Sequence, residues 1–253
     1  MDWHIILLIV AAGILVGFIN TLAGSGSIIS LPLLIFLGLP ANVANGTNRI
    51  AILLQSLTGV LSFKKKKVLD TTKYGLYPTI AAVLGSIIGA LIAIDIDKVI
   101  MERVIGVVMV IMLFVVLYKP EKWLKEKKTN IEKPGFLQLV IFFVIGIYGG
   151  FIQAGVGIFL LVALVLNAGY DLVRANALKL LIVLLYTPFA LLIFILNGQV
   201  NWEYGLILSA GNIIGALIAT KFAVDWGPKF IRYILIAVII TSSLDLLGII
   251  DLF

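Results

Sequence analysis

NTLAGSGSIISLPLLIFLGLP, Asn20 to Pro40, lies inside the 44 residues between His4 and Arg49 that carry no charged side chain. Apolar sequence flanks it on both sides, yet AGSGS has the composition of a water-exposed loop, with glycines that let the backbone turn and serines that bond to nearby main chain. Within a membrane such a loop is tolerated only where it is buried in protein or lines a polar cavity. The fold turns on whether the surroundings are indeed membrane.

Composition answers that first. The 253 residues are 62% hydrophobic and 13% charged, with a mean hydropathy of +1.17, well outside the range of an ordinary soluble domain. Uncharged runs such as Phe136 to Tyr170 and Leu180 to Trp202 exceed the roughly 20 apolar residues that cross a bilayer. The chain reads as an all-α, multi-pass protein of the cell membrane. Its first apolar run imitates a secretory signal, with Ala23-Gly24-Ser25 as a mock cleavage site, but the leader carries Asp2 and no lysine or arginine, so it reads as a retained span.

Apolar segments fall at 4–22, 26–39, 45–63, 74–94, 99–118, 136–153, 156–168, 176–196, 203–220 and 230–249. That is ten, five on either side of the hydrophilic stretch KPEKWLKEKKTNIEKP, Lys119 to Pro134, in which Trp123 is placed to anchor at the interface. The division is a first membrane repeat at 1–118, a cytoplasmic linker at 119–135 and a second membrane repeat at 136–253.

Internal similarity supports that division. GSIIGALIA at Gly85 to Ala93 and GNIIGALIA at Gly211 to Ala219 differ at one position. Gly17-Phe18-Ile19-Asn20 matches Gly150-Phe151-Ile152-Gln153, and after a short gap Ala23-Gly24-Ser25-Gly26 matches Ala154-Gly155-Val156-Gly157. Continuing the register sets Gly38 opposite Gly169 and Ala44-Asn45 opposite Ala175-Asn176. With five segments per copy the second starts on the opposite membrane face, so the sequence predicts two inverted five-segment repeats of transmembrane or re-entrant segments. Basic residues agree: Lys64 to Lys67, Lys73, the linker lysines, Arg174, Lys221, Lys229 and Arg232 all fall on one side, which predicts both termini outside.

Segments two and seven, about 13 or 14 residues, reach only roughly 20 Å and do not cross alone. We expect segments one and two, and six and seven, to form hairpins from opposite faces whose glycine tips meet near the midplane. The starts of segments two and seven then aim unpaired N–H groups at one place, which suits an anion. Candidate binding residues are Asn20, Gly24, Ser25, Gly26 and Ser27 at the first tip and Gln153, Gly155 and Gly157 at the second. The glycines at 85, 89, 211 and 215 have the spacing of close helix packing.

A second matched pair, PANVANGTNRI from Pro40 and YDLVRANALKL from Tyr170, opens two long helices. Asn45 and Asn176 are candidates for the anion path or for helix capping. Arg49 and Lys179 lie about one turn beyond them, and a cation in a membrane helix must be paired, hydrated or snorkelling. They either attract the anion from the two vestibules or anchor at the interface. Asp245 is a candidate proton site or an interfacial charge, while Asp70, Glu203 and Asp225 sit at predicted helix ends. Tyr186-Thr187-Pro188 kinks segment eight or breaks it.

Other functions find little support. Absent cysteine and a single histidine leave no disulfide framework, thiolate chemistry or multi-histidine metal site. No His–carboxylate pair, HExxH motif or phosphate loop is present, so no catalytic residue, metal or cofactor is expected. The net charge of +6 includes the Lys64 to Lys67 run beside a predicted span, which suits anionic lipid better than nucleic acid. The expected partners are a small anion and the bilayer; a homo-oligomer is left open.

GFINTLAGSGSIISLPLLIFLGLPANVANGTNRIA, GGFIQAGVGIFLLVAL and DLVRANALK together resemble the TauE/SafE family of membrane transporters over nearly the whole length. The resemblance implies a secondary transporter exporting sulfite or an organosulfonate such as sulfoacetate by alternating access, with Asn20 to Ser27 and Gln153 to Gly157 on the translocation path. Val156 stands where the first copy has serine, so the site should be asymmetric. Uptake of sulfate, thiosulfate or a carboxylate, a passive anion channel, and a membrane enzyme or assembly subunit are the alternatives.

Overall fold

The computed structural model describes residues 2–69, 73–117, 135–167, 169–170 and 172–222. The described residues are helical, without strands. In order they form α1 (Trp3–Ala23), α2 (Ser27–Phe36), α3 (Ala41–Lys65), α4 (Lys73–Ile94), α5 (Lys98–Leu117), α6 (Phe136–Phe151), α7 (Val156–Val162), a π-helical continuation at Ala163–Asn167, α8 (Leu172–Leu196) and α9 (Trp202–Phe222). These coincide with the first nine predicted segments. The tenth segment, Asp70, Trp123, Asp225, Asp245 and nearly all of the linker lie outside the described residues.

Four stretches, Trp3–Ala23, Leu76–Ile94, Val173–Leu196 and Trp202–Lys221, are long and apolar enough to cross a membrane. Their outward faces are apolar, with Leu84, Leu91, Leu192 and Leu217 about half exposed, while Asn45, Asn48, Arg49, Gln55, Lys179 and Asn212 are buried. Apolar outside and polar inside is the arrangement expected where the solvent is lipid. The chain is an integral membrane protein.

Close backbone contacts fix the helix directions. Along α1 and α9, Gly13 meets Leu208 and Gly211, and farther on Gly215 meets Phe18, so the two run parallel. α4 and α6 do the same, through Gly146 on Ala82 and Gly89 on Phe151. α3 is parallel to α9, with Asn201 N donating to Thr47 Oγ1 at 2.9 Å near one end and Lys66 Nζ donating to Thr220 O near the other. Against α8 it is antiparallel: Gly46 lies by Phe194 and Gly59 by Leu180.

The two glycine-rich helix pairs anticipated from spacing are packing sites. A Cβ on Gly85 or Gly89 would sit 2.1 Å from Phe143 O or 1.9 Å from Ile147 O; on Gly211 or Gly215 it would sit 2.3 Å from Val10 O or 2.0 Å from Ile14 O. Gly17 in α1 and Gly150 in α6 supply the facing small residues, meeting the backbones of Asn212 and Ser86 respectively. Backbone cannot yield as a flexible side chain can, so Gly89→Val should cost about 3 kcal/mol. Thermal unfolding in detergent checks this; an unchanged melting temperature would refute the packing role.

α2 returns toward the start of α1. Ile5 and Ile9 share a cluster with Leu34 and Ile35 of α2, Leu37 just beyond it and Leu208 of α9, and Tyr204 Oη donates to Leu37 O at 3.4 Å. In the second half Phe142, Ile141 and Ile145 of α6 cluster with Leu160, Leu161, Leu164 and Val165. Each short helix thus doubles back along its predecessor. Gly38 and Gly169, opposite one another in the sequence match, both hold left-handed φ of 91° and 69° where these helices end, a conformation glycine adopts without steric cost.

Candidate functional site

The first turn forms because Gly24, at φ 74°, closes α1 by donating its N–H to Asn20 O at 2.9 Å. Asn20 then pins the loop. Its Oδ1 accepts from Gly26 N at 3.3 Å and its Nδ2 donates to Gln55 Oε1 at 2.7 Å, while Gln55 Nε2 donates to Thr21 Oγ1 at 3.1 Å. The second turn uses Gly155 at φ 70°. Tyr148 Oη donates to Ala154 O at 2.5 Å, and Gln153 Nε2 donates to Tyr186 Oη at 3.3 Å and Thr187 Oγ1 at 3.4 Å.

The turns touch through backbone. Gly157 N donates to Gly24 O at 3.0 Å, and a Cβ on Gly157 would lie 2.3 Å from Gly24 Cα. Between them is a cavity of ≈ 10 Å³ lined by Asn20, Gly24, Ser27, Gln153, Gly157 and Lys179, with Ile52, Val156, Leu180 and Val183 as its apolar wall. That is about the space one water needs, too little for an oxyanion.

Both cations are placed by what broken helices lack. A helix that stops inside the protein leaves its last carbonyls without donors and concentrates partial negative charge there. Lys179, on α8, donates to Asn20 O and Thr21 O at the end of α1, each at 3.1 Å, and to Asn176 Oδ1 at 2.8 Å. Arg49, on α3, donates to Gly149 O at 3.1 Å and Gly150 O at 2.6 Å at the end of α6, and its guanidinium stacks 4.6 Å from the Phe194 ring centre. Asn45 Nδ2 adds a bond to Phe151 O at 2.8 Å. Each half of the chain therefore supplies the cation that caps the other half's broken helix. The hydrogen bonds of both cations among the described residues go to neutral oxygens.

Several expectations change. Asn45 and Asn176 do not cap helix starts, because α3 begins at Ala41 and α8 at Leu172; their amides brace Arg49 and Lys179 instead. Neither cation is at an interface or in an open vestibule, since Arg49 is 0% and Lys179 1% exposed. α8 runs unbroken through Tyr186-Thr187-Pro188, which decides against the break and not against the kink. The helix-start donors are partly consumed, as Gly26 N bonds Asn20 and Gly157 N bonds Gly24. Ser25 is fully buried with its Oγ unpartnered, and Gly155 packs on Met112; neither lines the cavity.

Sequence reading missed Gln55, Asn48 and the role of Tyr186. Asn48 accepts from Ser30 Oγ at 2.6 Å and donates to Ser27 Oγ at 3.1 Å. Carrying the repeat register past Asn45 and Asn176 would have set Gln55 opposite Tyr186, the partners of Asn20 and Gln153. Replacing Gln55 with leucine leaves Asn20 Nδ2 and Thr21 Oγ1 short of a partner, a loss of roughly 1–3 kcal/mol. A detergent melting curve indistinguishable from the parent would show that this brace is dispensable.

Two broken helices that meet at a small cavity beside a buried cation, inside an apolar shell, suit a membrane transporter, and the comparisons with known proteins agree. The chain belongs to the family described as sulfite exporter TauE/SafE, whose model matches residues 9–246. It is 25% identical over 248 residues to a probable membrane transporter protein, ORF9, of Sinorhizobium sp, covering 98% of this chain and 94% of that one. It is 28% identical to a probable membrane transporter protein of Haemophilus influenzae, over 87% of this chain and 86% of that one. The Escherichia coli K12 probable membrane transporter protein YfcA is also 28% identical, over 92% and 86%. No solved structure matches.

Proposed function

We propose that this chain is a secondary transporter that exports a small sulfur-containing oxyanion or organosulfonate by alternating access, built as two inverted five-segment repeats with both termini outside. The observation that carries the reading is the pair of buried cations, Arg49 and Lys179, bonded to neutral oxygens where the two broken helices meet. A charge held in that environment is costly and attracts a counter-ion, and the family's description supplies the sulfur oxyanion. The inverted-repeat reading is supported by matched contacts: Gly85 on Phe143 and Ile147 corresponds to Gly211 on Val10 and Ile14. Lys64–Lys67 and Lys221 share one end of the bundle through the Lys66–Thr220 bond, which supports placing that end in the cytoplasm.

The small size of the cavity supports alternating access, since an oxyanion needs it widened. Separating the Gly24–Gly157 contact toward one face or the other would open it to each side in turn, with the capped hairpins moving as units. Cells producing the chain should excrete sulfite generated inside them and tolerate it better than cells without the chain. Equal tolerance and equal excretion at confirmed membrane expression would count against export.

A further inference from the structure

The apolar wall of the cavity is built largely from Ile52 of α3 and from Leu180 and Val183 of α8, so it is the seam between these two antiparallel helices. The seam is not uniform along its length. At one end a Cβ on Gly46 would stand 2.0 Å from Gln199 O and 3.1 Å from Phe194 Cβ, a close fit against backbone. Thr47 Oγ1 accepts from Asn201 N at 2.9 Å and Gln199 Nε2 donates to Ile94 O at 3.0 Å, which ties that end to the start of α9 and the end of α4. At the other end the approach to Gly59 is made by a side-chain tip. A Cβ on Gly59 would stand 2.6 Å from Leu180 Cδ1, with Leu180 Cγ next at 3.7 Å, so Leu180 fills the notch left by the missing side chain.

Leu180 stands between two environments. It lines the cavity, and it also belongs to the cluster with Val60, Phe63 and Ala177 that fills the seam toward the last turn of α3. Lys64 to Lys67, all exposed, follow directly. A leucine tip moves aside by rotating about its own side-chain bonds, whereas a contact against backbone yields only when whole helices shift. We propose that Leu180 is a side-chain gate between the cavity and the end of the bundle that carries Lys64–Lys67, with the Gly46–Gln199 contact as the fixed end about which the seam opens. The cluster of Val60, Phe63 and Ala177 keeps water and ions out while the gate is shut, and the lysines concentrate anions at its mouth. The proposal rests on the transport reading and gives that reading one of its two routes.

The chain has no cysteine, so introduced thiols report alone. Gly59→Cys with Leu180→Cys places a pair across the gate; Ile50→Cys with Gly205→Cys, where the added Cβ lies 3.3 Å from Ile50 Cβ, joins α3 to α9 away from the seam. Each pair is linked by a short bifunctional alkylating reagent, because sulfite cleaves disulfides, and flux of radiolabelled sulfite is measured in proteoliposomes of the full chain before and after linking. Linking across the gate should reduce flux to that of empty liposomes, and linking α3 to α9 should leave the flux that pair had before. Separately, Leu180→Cys alone should react with a membrane-impermeant anionic maleimide from the side on which a Lys65→Cys protein reacts, and not from the other. Undiminished flux through the linked gate pair, a folded gate pair that does not link, or reaction of Leu180→Cys from the opposite side or from neither overturns the proposal. Should the gate pair not fold, or not transport before linking, the sidedness of Leu180→Cys decides. Absence of flux in the parent is a different failure: it overturns the transport reading, and this proposal with it.

Discussion

Replacing Lys179 with methionine is expected to abolish the proposed anion flux. Its ammonium is the cation that lines the cavity, and a unit charge about 4 Å away is worth about 4 kcal/mol at an effective dielectric of 20, close to a thousandfold in affinity. Methionine fills similar volume, so the loss is of charge and of three hydrogen bonds, not of packing. Lys179→Arg keeps the charge and should retain part of the flux. Arg49→Met makes the informative contrast, because Arg49 does not line the cavity and holds the carbonyls of Gly149 and Gly150. It should lower the melting temperature more than Lys179→Met does, while a folded Lys179→Met protein with parental flux would remove this cation from the mechanism.

Gly157→Ala should be as damaging as most large substitutions elsewhere. A single methyl there would stand 2.3 Å from Gly24 Cα and 2.6 Å from Gly24 O, and neither atom can rotate away. Relief requires separating the two tips, which breaks the Gly157–Gly24 bond and opens the cavity wall, so we expect a loss of about 3 kcal/mol or more and no transport. Gly198→Ala is the control, with φ at 67° but nothing within 4 Å of the added methyl; it should cost about 1 kcal/mol and leave flux intact. Detergent melting and flux, measured together, separate the cases. Equal tolerance at both glycines would mean that the tips do not rely on close contact.

The helices were legible because lipid imposes a simple rule: apolar runs of fixed length end where charge, glycine or proline appears. The turns at Gly24 and Gly155 were legible for the same reason, as loop residues in a place without water. The starts of α3 and α8 were not. Asn45, Asn48 and Arg49 look like the polar edge of a span, but they are helical and buried, because their donors and acceptors find Phe151, Ser27 and Gly150 elsewhere in the chain. Those partners are up to about a hundred residues away, and spacing within a segment cannot reveal them. The cations misled similarly, since charge in a span suggests a vestibule or an interface, whereas the carbonyls of another helix's broken end also satisfy it. What the repeat register did contain, and segment-by-segment reading passed over, is the correspondence of Gln55 with Tyr186.

The most direct measurement is uptake of radiolabelled sulfite by proteoliposomes of the purified chain, with and without unlabelled sulfite inside. The account predicts saturable uptake, accelerated by internal sulfite, absent from empty liposomes and lost in Lys179→Met. Uptake of no small sulfur oxyanion above that of empty liposomes would contradict it.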